Sequence, residues 1–202
     1  LNLCNKNMVK MDTNNDDGKA KHKLLAEVCY AAKEEGDLIK THYTPYQQKY
    51  VNPDSTICTV LARSFADIGD IVRGKDLYSG NSKEKDRRKQ LDENLKTIFK
   101  NIYEKLLKEN QNNGKKEEIE ARYQDGSGDF FQLREDWWTA NRATIWEAIT
   151  CDVKSGNNYF RQTACAGTRT KDKCRCNGEK KPGTNETDQV PTYFDYVPQY
   201  LR

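Results

Sequence analysis

Asp67 and Asp70 stand three residues apart in a segment with helical spacing, so they share one helix face. Two carboxylates in different environments can divide acid and base roles. Arg63 precedes Asp67 by four residues and Arg73 follows Asp70 by three. Ion pairing along one helix therefore accounts for all four charges, and this is the favoured reading. Arg134, Glu135, Asp136, Trp137, Trp138, Asn141, Arg142 and Trp146 form a second constellation. Tryptophan can stack on a sugar or a cation. Here the tryptophans fall on an apolar stripe, which makes them core, with the charges as buried partners that set helix register.

Other reactive types are sparse. The two histidines, His22 and His42, lie far from the cysteines. No Ser–His–Asp or Cys–His set is discernible, and general-base chemistry has few candidates. The stretch 125–128 (DGSG) lacks the Lys-Ser/Thr that ends a phosphate-binding loop. Of the seven cysteines, only Cys174 and Cys176 are close, and one intervening residue is tighter than a zinc knuckle. No metal site and no cofactor is expected. Disulfides in an oxidising, extracellular setting are the alternative. An odd count then leaves a free thiol, a bond to another chain, or a partner beyond this sequence.

The elements that must position these residues follow from periodicity. From Lys19, Leu24, Leu25, Val28, Ala31 and Ala32 fall on one face, and Gly36 is expected to close that helix. Thr44-Pro45 and Asn52-Pro53 mark a loop, with Ser55 as the next N-cap. Ile57, Val60, Leu61, Phe65, Ile68, Ile71 and Val72 keep helical spacing. Gly69 inside that helix costs about 1 kcal/mol relative to Ala, so another helix is expected to pack closely there. The clearest helix spans 86–109. A polar break follows at 110–116, a Gly-rich loop at 125–129, and a fourth long helix carries Leu133 to Ile149. Residues 155–190 lack periodicity and read as a disulfide-tied loop, while 198–202 reads as the first turn of a helix.

No β alternation survives beyond four residues. The fold class is all-α: a disulfide-braced helical bundle with long hydrophilic loops. Composition agrees. Hydrophobic residues are only 35% of 202 and charged residues 32%, below and above ordinary globular usage. Such a chain needs stabilisation beyond its core, and cysteines supply it. No apolar run can span a membrane, so no direct membrane insertion is expected. A net charge of +3 argues against a dedicated nucleic-acid binder. Leu1 reads as the interior of a longer protein.

Charge is uneven, however. Lys83, Lys85, Arg87, Arg88 and Lys89 open the long helix. Between 161 and 181 there are seven cations (Arg161, Arg169, Lys171, Lys173, Arg175, Lys180, Lys181) against two anions, Asp172 and Glu179. A surface loop of that charge can hold a sulfated glycan or an anionic membrane, or be merely solvated. Asn185-Glu186-Thr187 matches the N-glycosylation pattern.

Three long stretches carry a family resemblance: 61–74 (LARSFADIGDIVRG), 133–151 (LREDWWTANRATIWEAITC) and 190–202 (VPTYFDYVPQYLR). The segments 24–36 and 3–7 agree with them. Together they resemble the Duffy-binding-like domain of the variant erythrocyte membrane proteins of the malaria parasite, in the alpha class of the head region. The resemblance runs from end to end, while 75–129 and 154–189 look like hypervariable parts. It implies an extracellular adhesion module on the infected red cell, not an enzyme. Its partners would be a host cell-surface receptor or a sulfated glycan such as heparan sulfate, antibodies, and adjacent domains of the parent adhesin. Rosetting is the associated behaviour. The alternative is a head-region scaffold that binds nothing itself. The family fold has three subdomains, so residues 1–54 would be part of the first and 55–202 the second. The resemblance also implies that Cys4 pairs with an upstream cysteine. Of the 15 pairings open to the remaining six, Cys29–Cys151, Cys58–Cys176 and Cys165–Cys174 are expected.

Overall fold

The computed structural model describes residues 4, 6–11, 13, 20–49, 57–77, 81–112, 114–176 and 189–202. Six α-helices are present in this part of the chain: α1 (Lys6–Val9), α2 (Ala20–Lys49), α3 (Ile57–Arg73), α4 (Ser82–Glu109), α5 (Lys116–Tyr123) and α6 (Phe131–Ile149). Two 3-10 turns follow, at Phe194–Tyr196 and Gln199–Leu201. There is no strand among the described residues, only two isolated bridges. The all-α class therefore holds. Ser55 and residues 177–188, with Lys180, Lys181 and the Asn185 sequon, lie outside the described residues.

The apolar stripes pack as their spacing dictates. Leu24, Val28, Ala31 and Ala32 of α2 meet Leu61, Phe65 and Val72 of α3 and Trp138, Ile145, Trp146 and Ile149 of α6 in one core. Phe65 sits at its centre, with ring centroids 5.1 Å from Trp138 and 5.2 Å from Trp146. The stripe Leu91, Leu95, Ile98, Phe99 and Ile102 lays α4 against this core, and Phe99 meets Trp137 edge-on at 6.1 Å. Asn81 caps α4, its side-chain oxygen accepting the Glu84 N–H at 3.0 Å. Gly69 is the expected close-packing site: a Cβ there would lie 2.8 Å from Trp138.

Gly36 behaves differently from expectation. It does not end α2, which continues through Thr44-Pro45 to Lys49. Gly36 instead gives room to the end of α6, since a Cβ would stand 2.1 Å from the Ile149 carbonyl oxygen. A backbone carbonyl cannot rotate away as a side chain can. In an exposed helix Gly→Ala stabilises by about 1 kcal/mol. Here G36A should destabilise by about 1–3 kcal/mol, because overpacking outweighs propensity. Urea unfolding would decide the sign, and a rise in the midpoint would refute the close approach.

Two further elements depart from the periodicity reading. The polar break leads into α5, which buries no side chain and so shows no apolar stripe. The segment 198–202 forms one 3-10 turn, closed by the Leu201 N–H donating to the Pro198 carbonyl at 2.9 Å.

The disulfides require correction. The structure joins Cys58 to Cys174 and Cys165 to Cys176, not Cys58 to Cys176 and Cys165 to Cys174. The reason lies in a tight turn between the bridged residues Asp172 and Arg175. Lys173 and Cys174 are both left-handed there, with φ 48° and 57°, the backbone of a two-residue hairpin. That conformation drives Cys174 inward. It is fully buried, its carbonyl accepting the Trp146 indole N–H at 3.0 Å, and it meets Cys58 of α3. Cys176 emerges beyond the turn, beside Cys165. The expected Cys29–Cys151 bond is not formed, and both are half-buried thiols, as is Cys4. The turn ending α6 presents the Cys151 thiol to the Asp152 carboxylate at 3.3 Å.

Candidate functional site

The two basic clusters lie at opposite ends of α3, a 17-residue helix about 25 Å long at 1.5 Å per residue. They do not merge into one patch. At the C-terminal end of α3, Lys83, Lys85, Arg87 and Lys89 are exposed on the first turns of α4. Arg87 pairs with Glu84 at 2.9 Å. Arg88 is turned inward onto Asp76, whose other oxygen accepts the Gln199 amide at 3.0 Å. Arg88 therefore ties α4 to the segment after α3, and a cleft of about 230 Å³ opens beside it, between Gly74, Lys89 and Asp92.

At the other end of α3 stands the cystine-anchored loop. Arg175 is spent on structure. Its Nε donates to the Thr150 hydroxyl at 2.8 Å and its Nη2 to the Glu147 carbonyl at 2.6 Å, so it caps the C-terminus of α6. Asp172 is engaged by the loop's own backbone, one oxygen accepting the Gly156 and Lys173 N–H groups. The Gly156 hydrogen bond leads the contacts that hold its carboxyl below the usual range. Arg161, Arg169 and Lys171 are exposed and Lys173 is half-buried. None of Arg161, Arg169 and Lys171 has a carboxylate partner among the described residues.

Between the clusters lies a buried ionic network that engages the two aspartates considered above for acid–base chemistry. Arg202 reaches both, at 2.9 Å from Asp67 and in direct contact with Asp70. Arg73 pairs with Asp70 at 3.0 Å. The expected partner Arg63 is exposed instead. Burial pushes the Asp70 carboxyl above its usual range, against the lowering pull of Arg202 and Arg73. Asp195, 1% exposed, is the hub. It accepts the Trp138 indole N–H at 2.9 Å and both arms of Arg142 at 2.8 and 2.9 Å, and its backbone carbonyl accepts from Arg73.

Arg134, wholly buried, donates to the Val72 carbonyl at 2.7 Å and pairs with Asp92 at 3.0 Å. It closes the C-terminal end of α3, and Asp136 binds Arg122 of α5 at 2.7 Å. The three long stretches 61–74, 133–151 and 190–202 thus converge on one set of ion pairs. The roles of Asp195 and Arg202 were missed from sequence. The available signal was a lone Asp and a lone Arg in a segment otherwise uncharged.

Residues 1–202 match the family model described as the Duffy binding domain. The NTS-DBL1(alpha-1) domain of Plasmodium falciparum membrane protein 1 (PfEMP1) from the varO strain is 36% identical, with a TM-score of 0.68 over 98% of this chain and 39% of that one. The NTS-DBL1-alpha and CIDR-gamma double domain from the same strain is 35% identical, with a TM-score of 0.69 over 98% of this chain and 25% of that one. The ICAM-1-binding PfEMP1 IT4var13 DBLbeta domain is 30% identical, with a TM-score of 0.63 over 99% of this chain and 39% of that one. This chain thus spans about two fifths or less of each of these solved relatives. No curated protein matches it significantly.

Proposed function

Because the chain belongs to the Duffy binding domain family, we propose that it is part of an adhesion domain on the outer face of the infected erythrocyte, where it binds a host receptor or a sulfated glycan. A related DBLbeta domain is ICAM-1-binding, which supports the class of role and leaves the ligand of this chain to its own surface. No helix of the described residues is long and apolar enough to cross a membrane. In this reading residues 1–54 belong to the first subdomain and 55–202 to the second.

The observation that carries the proposal is the cystine-anchored loop. Its structural charges, Arg175 and Asp172, are used internally, while Arg161, Arg169 and Lys171 face solvent. A rigid surface with cations turned outward attracts polyanions by long-range Coulomb forces that salt screens. A heparan sulfate-like ligand and a rosetting role belong to this reading. Reversing Lys171 and Lys173 to Glu should lower the salt concentration at which the folded chain elutes from heparin. Unchanged elution would refute this surface.

A scaffold role is favoured by one different feature. Leu77, Tyr193, Tyr196, Tyr200 and Leu201 are all between 46% and 75% exposed, at or near a cleft of about 250 Å³ lined in part by Arg73, Lys75 and Tyr196. Neighbouring domains of a longer adhesin would cover such an aromatic face. Binding of red cells and of a glycan array by the isolated chain separates the two readings.

A further inference from the structure

One buried cation keeps a donor unspent. Arg134 is 0% exposed. Its Nε donates to the Val72 carbonyl at 2.7 Å, and its Nη2 reaches the Ile71 carbonyl at 3.3 Å and Asp92 at 3.0 Å. Its Nη1 is buried with no acceptor among the described residues. Such a donor has given up water without a replacement, and a ligand that supplies an acceptor relieves that penalty. The cleft of about 230 Å³ beside Arg88 begins at the same place. Ile71, Gly74, Lys89 and Asp92 are among its lining residues, and Arg134 meets three of these four. A Cβ on Gly74 would stand 2.9 Å from Nη1 and 3.1 Å from the Phe131 ring. Gly74 has a φ of 73° and no side chain, so the guanidinium and the ring come together against its bare backbone. Phe131 is the first residue of α6 and is 47% exposed, which leaves its ring room to turn outward to another rotamer. The other charges here are already matched. Asp76 takes Arg88. Asp92 takes Lys96 at 3.3 Å as well as Arg134. Asp129, whose charge also acts on Arg134, takes Lys96 at 2.7 Å. Lys89 is exposed and has no carboxylate partner among the described residues.

We infer that this cleft takes one carboxylate, the side chain of a glutamate or aspartate on a protein partner. One carboxylate oxygen accepts from Arg134 Nη1 once the Phe131 ring has turned aside, and the other faces the Lys89 ammonium. The planar guanidinium suits a carboxylate, and a charge-assisted hydrogen bond is stronger in a dry site than in water. The occupant is a single acidic side chain and not a polyanion, because Asp76 and Asp92 on the cleft wall repel any further negative charge. The site lies at the end of α3 away from the cystine-anchored loop, so it stands independently of the heparin surface proposed above.

The test follows the Gly74 amide and the Arg134 Nε–H by heteronuclear NMR of the 202-residue chain during titration with a capped Leu-Glu-Leu peptide. Both resonances should shift and saturate. The counterpart with glutamine in place of glutamate should bind at least about tenfold more weakly, the loss of a charged hydrogen-bond partner. K89Q should weaken glutamate binding about threefold, as for an exposed ion pair. F131A should strengthen it, because the ring no longer has to move. Absence of a shift with the glutamate peptide, equal affinity for its glutamine counterpart, native affinity in K89Q, or unchanged or weaker affinity in F131A overturns the site. Shifts produced by a heparin oligosaccharide and not by the glutamate peptide assign the cleft to a sulfated chain and also overturn it. The readout sits on Gly74 and Arg134, so the effect of Lys171 and Lys173 reversal on heparin elution leaves it untouched, and the two proposals fail separately. Circular dichroism confirms that each variant is folded.

Discussion

Asp195→Ala should cost about 3–5 kcal/mol of stability, the loss expected when one partner leaves a buried charge network. Both arms of Arg142 and the Trp138 indole N–H donate to this carboxylate, and it is 1% exposed. Removing it leaves the buried Trp138 indole N–H without its acceptor and the part-buried Arg142 guanidinium with only the Thr192 carbonyl, at 2.9 Å. The cost falls on three elements at once, because Arg142 and Trp138 belong to α6 and Asp195 to the C-terminal segment, whose backbone also accepts from Arg73 of α3. D195N should retain part of the stability, since an amide oxygen can still accept from Trp138. Chemical unfolding of both variants provides the check. A loss below about 1 kcal/mol in D195A would show that the network contributes register and not stability.

Opening the Cys58–Cys174 bond should cost about 5 kcal/mol, and opening Cys165–Cys176 about 3 kcal/mol. The difference follows from loop length: the bonds close separations of 116 and 11 residues, and the entropy of the unfolded chain grows with the logarithm of that length. The first bond also pins the inward turn at Cys174 to the start of α3, so its removal should release the basic loop from the core. Paired Cys→Ser variants, unfolded without reductant, give the two values. Equal losses would refute the loop-length account. A peptide map without reduction that joined Cys58 to Cys176 would refute the pairing itself.

The helical class was legible because each stripe is a local signal. Ile57 to Val72 and Leu91 to Ile102 show their spacing within a few turns, and the structure buries most of those residues. Gly69 was legible for a similar reason: an unfavourable residue in the middle of a helix implies close contact with something, here Trp138. Gly36 was misread because a glycine that ends a helix and a glycine that lets a carbonyl approach look the same in one dimension. The helix α5 was missed because it buries nothing. Of the basic residues, exposure of Arg169 and Lys171 could not be distinguished in sequence from the inward duties of Arg88 and Arg175. A cation on a periodicity-free loop has no face until its neighbours are placed.

Sequence alone therefore determined the four long helices, their core stripes, the presence of a cysteine-braced loop and the concentration of positive charge on that loop. These depend on spacing within ten or twenty residues, where helix geometry is the governing rule. Tertiary structure alone decided who meets whom. Arg202 reaches Asp67 across 135 residues and Cys58 takes Cys174 across 116. Short-range spacing places no constraint on such distant partners. They are selected by how helices pack, by the one turn that drives Cys174 inward, and by the high cost of leaving any buried charge alone.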